Sequence, residues 1–421
     1  MGRTITKLVG TLALLFAFAG ILPACIQRVA DGKTAIAYWR TLSGAAGDTQ
    51  DKIVAQFNAS QSDVVVKSEY QGTYSDLATK LIAATAAKSG PDVTQLGTFE
   101  IRQFAKSGVL VDLTPYLNGP NGIDRSEWPE SMARAGEIDG GTYWLPFNVA
   151  VPTLYYNKKA FADAGIAEAP ATWSEFFSVV RKLTKEDRPG LALWSNTWPL
   201  FSMIWSEGGE LTTRDYANIT LNDPVVVYLL KELQNLVREG AVVVPDKASG
   251  GHRAAFVNGR AAIILDSQDA FSEVFAQSNG FTPGVANYPA GAKGKVYAPG
   301  GGGIAMMSIT SAEKRDAAWA FMRYMLSPEQ IADYSSQSGY AAFSKSAQLK
   351  MGKKLSDPRF KVIHDALPYV RADFSVNMSP ALRSAFDEAF QKILMQAADV
   401  QQALDTADAK AEAAVKSELA R

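Results

Sequence analysis

Groups able to make and break bonds are scarce in this chain. His252 and His364 are the only two histidines and stand far apart, and Cys25 is the single cysteine. Zinc sites need histidines and thiolates at short spacings, and thiol catalysis needs a cysteine beside a base, so neither chemistry is supported. Asp and Glu are scattered throughout, which leaves a carboxylate pair for glycoside hydrolysis open on sequence alone. The balance favours binding over catalysis. No metal, no cofactor and no enzyme activity is expected, a secreted carbohydrate-active enzyme being the alternative from another class.

What the chain does supply suits holding a small molecule. Pro299-Gly300-Gly301-Gly302-Gly303 lacks the lysine and hydroxyl of a phosphate loop. Its bare backbone either makes a tight turn or close backbone packing, or lets a ligand approach exposed amide N–H groups. Tyr74, Trp39, Trp194, Trp198 and Trp205 can stack on a sugar face, with core packing as the alternative for each. Arg383, three residues after Pro380 near a helix start, can pair bidentately with an anionic group; a solvated arginine is the other reading.

Elements must hold these residues, and length sets how many units do so. A chain of 421 residues exceeds the roughly 250–300 that one core organises, so two α/β lobes are expected. With 47% apolar residues, 20% charged and a net charge of -1, it reads as a globular protein with no basic excess for nucleic acid. At the N-terminus, Arg3 and Lys7 precede an apolar run from Leu8 to Leu22, then Pro23-Ala24-Cys25, the order of an export signal. Leu22-Pro23-Ala24-Cys25 resembles a lipoprotein box with an atypical proline. Either Cys25 is acylated or an ordinary signal peptidase cuts nearby.

Beyond the signal, Thr34 to Trp39, Val64 to Tyr70 and Asp92 to Leu96 read as strands, separated by helices over Asp48 to Asn58 and from Ser75 to Ala87. In such open sheets ligands sit outside the carboxyl ends of strands, so the loops at Arg40 to Gly44, Gln71 to Tyr74 and Gly97 to Glu100 should converge. Tyr143 to Asn157 is extended, aromatic and interrupted by Pro146 and Pro152. A proline removes a ladder donor, so this stretch suits a crossing between two lobes better than one central strand. Pro224 opens an amphipathic helix through Val237, and Phe256 to Ser267 reads as helix end, glycine turn and buried strand. Ile304 to Ser308 follows the glycine run as the second crossing, and Ser379-Pro380 opens the last long helical region.

In this order the residues resemble the extracellular solute-binding proteins of bacterial ABC importers, in the group that includes glycerol-3-phosphate-binding and oligosaccharide-binding members. The marks are Pro146-Phe147-Asn148, Leu154-Tyr155-Tyr156-Asn157-Lys158, Thr172-Trp173, Phe256-Val257-Asn258-Gly259, Gly301-Gly302-Gly303, Ser338-Gly339-Tyr340 and Asn377-Met378-Ser379-Pro380-Ala381-Leu382-Arg383. The resemblance implies a two-lobed, type II periplasmic-binding-protein-like α/β fold, with mixed sheets flanked by helices and a ligand cleft between lobes. Residues 33–147 plus about 301–345 would form lobe one, and residues 150–300 plus about 346–421 lobe two. It further implies a monomer outside the cytoplasm that delivers a solute to membrane permease subunits.

The family pattern implies that Ser267, Tyr340, Arg383 and the backbone at Gly302 hold a phosphate. Tyr74 and an acid after the third strand would hold hydroxyls, with Asn148 and Trp198 beside them. Two departures matter. Val149 and Ala150 stand where the glycerol-3-phosphate branch expects serines, and Thr98 occupies the acid's position, with Glu100 two residues on. Glycerol-3-phosphate, a glycerophosphodiester and a neutral mono- or oligosaccharide all remain candidate solutes.

Overall fold

The structure is a computed structural model that describes residues 32–213, 218–246, 251–371 and 379–419. The stretch read as an export signal, with Cys25, and Asn377-Met378 of the last motif lie outside the described residues.

Twelve strands are formed among the described residues: β1 (Thr34–Arg40), β2 (Val64–Tyr70), β3 (Val93–Gly97), β4 (Glu137–Ile138), β5 (Gly141–Thr142), β6 (Leu145–Ala150), β7 (Pro152–Asn157), β8 (Leu191–Ala192), β9 (Val242–Val243), β10 (Ile263–Ser267), β11 (Pro283–Asn287) and β12 (Gly300–Met306). Two mixed five-stranded sheets carry the lobes, in the orders β2-β1-β3-β12-β6 and β11-β7-β10-β8-β9, and β4-β5 is a small hairpin. β1, β2 and β3 run parallel while β12 lies antiparallel to both β3 and β6. Helices Gly44–Ser60 and Ala312–Met325 cover the first sheet, where Phe57 and Tyr38 each meet Phe321 edge-on at 5.3 Å. In the second lobe Trp173, fully buried, packs edge-on against Phe176 and Tyr288, and its indole N–H donates to Ser206 Oγ at 2.7 Å.

The proline-interrupted stretch divides as its chemistry requires. β6 pairs only with β12, so Pro146 sits on a sheet edge, and Pro152 is the first residue of β7, where a missing donor does least harm. Between them Val151 passes from one sheet to the other. Gln268 holds it there: Val151 N–H donates to Gln268 Oε1 at 2.6 Å, and Gln268 Nε2 donates to Val149 O at 3.0 Å. Ala341 N–H donates to the same Val149 carbonyl at 3.0 Å, bringing a third segment to the crossing.

The glycine run takes the close-packing alternative rather than a turn. Gly300 to Gly303 lie inside β12, with a register shift between Gly302 and Gly303. Gly301 has φ +82°, and a Cβ there would fall 1.9 Å from Asn148 O. The backbone is too closely flanked for side chains, so glycine is required by contact rather than by a turn. The last helical region is also interrupted, as Pro380–Met395 and Val400–Leu419, with Ala397 at φ +55° between them.

Candidate functional site

Local sequence sets the first side chain. Thr73 and Asp76 form a reciprocal capping box, with Asp76 N–H donating to Thr73 Oγ1 at 3.2 Å and Thr73 N–H to Asp76 Oδ2 at 2.9 Å. Tyr74 is therefore the first residue of helix Tyr74–Ala86, and its ring lies against Gly97 and Gly302. A Cβ on Gly97 would come 3.1 Å from Tyr74 Cγ, and one on Gly302 2.6 Å from the Tyr74 hydroxyl. These two glycines are paired neighbours on β3 and β12. Residues from two strands and a helix start thus meet at the carboxyl end of β3.

Asn148, fully buried on β6, ties this group together. Thr41 N–H, which can only donate, reaches Gln95 Oε1 at 2.8 Å and so turns the Gln95 amide group toward Asn148. Gln95 Nε2 lies 2.7 Å from one end of the Asn148 amide and the Tyr74 hydroxyl 2.6 Å from the other, with the Gly302 carbonyl and N–H beside the same two ends at 3.1 and 3.3 Å. Burial pushes the Tyr74 hydroxyl above the usual tyrosine range, with the Asn148 hydrogen bond opposing it. Tyr340 follows Gly339, which ends helix Pro328–Ser338 at φ +83°, and stacks on Tyr334 at 5.8 Å. Burial raises its hydroxyl further, and the charge of Asp269 and the neighbouring Tyr74 act in the same direction. Both phenols stay protonated near neutral pH and can donate.

The charged members come from both lobes. Ser379 caps helix Pro380–Met395 by accepting from Leu382 N–H at 3.1 Å, which sets Arg383 in the helix's first turns. Its guanidinium lies 4.0 Å from the centroid of the Phe99 ring and 3.8 Å from Asp387 Oδ2. Phe99 in turn meets Phe201 at 6.4 Å. Next to Phe99, Glu100 keeps Oε2 buried and without a hydrogen-bond partner. Burial raises the Glu100 pKa, and the Arg383 charge partly opposes that shift. Native structure then favours the protonated acid, so its stabilising effect is lost as pH rises past the ordinary glutamate range. Glu100→Gln should therefore leave the thermal midpoint of ligand-free protein unchanged or slightly higher at pH 7, while weakening solute binding by about fivefold, the value of one neutral hydrogen bond. Parallel melting and titration calorimetry check both signs.

Ser267 ends β10 and hydrogen-bonds to Asp269 in the short 3₁₀ turn Gln268–Ala270. Gly302, Tyr74, Asn148 and Glu100 thus meet around Gly97, Arg383 lies on the face of neighbouring Phe99, and Ser267 and Asp269 pair at the end of β10. Two expected members are packed inward beside this group. Trp198 is only 5% exposed, packs on Gly300, and donates its indole N–H to Pro299 O at 3.2 Å, which corresponds to the core-packing alternative. Thr98, also buried, lines a small enclosed cavity with Trp144, Pro299 and Arg371. Val149 and Ala150 are buried in the crossing. Phe99, Asp269 and Gln268 are additions that composition and spacing did not mark. An open cavity of about 1120 Å³ is lined by other residues, among them Trp128, Trp205 and Phe343, and there Arg134 pairs with Glu130 and Glu137, and Arg371 with Glu210.

No group of His, Cys, Asp and Glu among the described residues is arranged to hold a metal ion, and none of their helices is long and apolar enough to cross a membrane.

Residues 52–361 match the family model described as bacterial extracellular solute-binding protein. The sn-glycerol-3-phosphate-binding periplasmic protein UgpB of Rhizobium meliloti is 24% identical over 413 residues, covering 92% of this chain and 95% of that relative. The diacetylchitobiose binding protein DasA of Streptomyces coelicolor is 33% identical over 179 residues, 42% of this chain and 41% of its own. Among solved structures, UgpB from Mycobacterium tuberculosis in complex with glycerophosphocholine superposes with a TM-score of 0.83 at 25% identity, covering 92% of this chain and all 100% of that one. A cyclic alpha-maltosyl-1,6-maltose binding protein from Arthrobacter globiformis shares the fold with a TM-score of 0.76 at 24% identity, covering 92% of this chain and 100% of that one.

Proposed function

This chain belongs to the bacterial extracellular solute-binding proteins, and from that premise we propose that it captures a glycerophosphodiester, or the related glycerol-3-phosphate, between its lobes for delivery to an ABC permease. The carrying observation is the charge pattern around Arg383. One arginine is flanked by carboxylates at Glu100 and Asp387, with Asp269 beside the tyrosines. A phosphodiester brings one negative charge, suited to one guanidinium, with donor-bearing groups on either side that suit the carboxylates. A phosphomonoester brings nearly two charges and fits the same surroundings less well. Tyr74 and Tyr340 supply neutral donors, and Gly302 gives close access to backbone.

The mechanism is a shift between open and closed arrangements. A solute touching Tyr74 and Glu100 on one lobe and Arg383 on the other favours closure by its greater affinity for the closed state. Gln268, hydrogen-bonded on both sides of Val151, would limit the motion to the crossing segments.

A thermal-shift and calorimetry panel of glycerophosphocholine, glycerol-3-phosphate, maltose and trehalose tests the reading. A bound solute at about a hundred times its Kd stabilises by about 2.7 kcal/mol and raises the midpoint. Glycerophosphocholine is expected to give the largest rise. If maltose or trehalose shifts the midpoint and neither phosphorylated solute does, the chain binds neutral sugars, and the acids serve as hydroxyl acceptors instead.

A further inference from the structure

Phe99 packs away from its chain neighbours. Leu96 and Ile101 are buried together with Leu77, Leu81 and Phe104, whereas the Phe99 ring packs against a separate cluster that contains Phe201 and Phe386. The turn that carries it is tied at both ends. Thr98 N–H donates to Gly301 O at 3.4 Å and Phe104 N–H to Glu100 O at 3.2 Å, which anchors the corner between β3 and helix Ile101–Lys106.

The surface that receives the ring belongs to the other sheet's side. Phe201 lies on helix Trp198–Glu207 and Arg383 on helix Pro380–Met395, and both helices pack on helix Pro224–Arg238, which in turn meets β9. Thr197 donates its N–H and hydroxyl to Asp387 Oδ1, and Phe201 stacks on Phe386 at 6.2 Å, so the two helices act as one unit. Phe99 enters between them, with the Arg383 guanidinium 4.0 Å from its ring centroid and the Phe201 ring at 6.4 Å. Beside it, Thr98 and Arg371 line a cavity of about 10 Å³, room for one water at most. Arg371 is held on the second lobe by Glu210 and the face of Trp205, so the two lobes meet closely here.

Ring packing and cation–π attraction act here between groups of the chain itself. A contact made only when the lobes are together stabilises that arrangement whatever the cleft holds. Resting on the open and closed mechanism but not on the class of solute, we infer that Phe99 is a latch between the lobes. It is a positioning residue that keeps the closed arrangement populated before a solute arrives. Apparent affinity scales with the fraction of competent protein, so loosening the latch weakens every solute by the same factor.

Small-angle scattering and titration calorimetry of wild type, Phe99→Ala and Phe99→Tyr decide it, with melting curves confirming that each variant is folded. Without added solute, Phe99→Ala should have a larger radius of gyration than wild type. Saturating glycerophosphocholine or maltose, whichever the protein binds, should bring both to the same compact value. The closed-to-open ratio of Phe99→Ala should fall roughly two- to thirtyfold, the range for one cation–π contact, and its affinity by no more than that factor. Phe99→Tyr keeps a ring for Arg383 and Phe201 and should scatter and bind as wild type does. Should the alanine variant fail to fold, Phe99→Leu, apolar but without a ring, serves the same comparison. Identical scattering of solute-free wild type and Phe99→Ala would overturn the latch, whether or not affinity changed. A solute that bound Phe99→Ala without compacting it would instead defeat the open and closed mechanism, and the latch with it.

Discussion

Asp266→Ala should lower stability by about 3–5 kcal/mol, the loss typical when one partner of a buried ion pair is removed, and the thermal midpoint by roughly 4 to 6 °C for a chain of this length. Asp266 has 0% exposure and accepts from four groups: Arg253 Nε at 2.6 Å, Arg253 Nη2 at 2.9 Å, Ser267 N–H at 2.7 Å and the His252 ring at 2.7 Å. Burial alone would raise its pKa. The Arg253 and His252 charges more than offset that, holding the carboxyl well below the usual range. For an acid with a depressed folded pKa, the stabilising effect is full above its unfolded pKa and is lost as pH falls through the folded value. Wild type should therefore lose more stability than Asp266→Asn on acidification below about pH 4. Arg253 retains Asp269 and Glu273 in either variant, which favours the lower end of the range. A midpoint change under about 1 °C for Asp266→Ala would show that the network contributes nothing net to folding.

This network also shows what was and was not legible in the amino-acid order. Val64 to Tyr70 and Thr34 to Trp39 are local signals, and both formed as strands; the helix read from Ser75 begins one residue earlier, at Tyr74, because Thr73 and Asp76 cap it. The two prolines of the crossing were legible because proline removes a donor whatever surrounds it. Tyr74, Gly302 and Arg383 carried a binding alternative by residue type, whereas Asn148 and Tyr340 could be singled out only through resemblance to a family, since each residue type is common in cores and on surfaces. Pairings made across the cleft were out of reach. Nothing near Phe99 announces Arg383, 284 positions later, and nothing near Gln268 announces that its amide would span Val149 and Val151. Trp198 went to the core because a neighbouring glycine, Gly300, left a flat surface for its ring. The glycine run reads as a turn by propensity, yet its strand is dictated by the closeness of β3 and β6 on either side.

Arg383→Ala should weaken a phosphodiester solute by about 1.5–3 kcal/mol, roughly ten- to 150-fold in Kd, since a charge-assisted bond to phosphate has no substitute nearby. The fold should survive. Asp387 would keep Thr197, whose N–H and hydroxyl donate to its Oδ1 at 2.9 and 2.6 Å, and removing the guanidinium from the face of Phe99 costs about 0.5–2 kcal/mol. Arg383→Lys separates charge from shape. It keeps a cation but gives up the planar fork and its stacking on Phe99, so most of the affinity should still disappear. Ionic strength gives a second axis: wild-type affinity for the diester should fall as salt rises, and that slope should flatten in Arg383→Ala. A neutral saccharide answers differently on both axes. It would lose only a hydrogen bond, about fivefold, with no change in salt dependence. Calorimetry of the three proteins at two salt concentrations therefore reads the charge of the natural solute directly. A shallow, salt-independent loss in Arg383→Ala would mean that Glu100 and Asp269, rather than Arg383, are the groups that choose what the cleft holds.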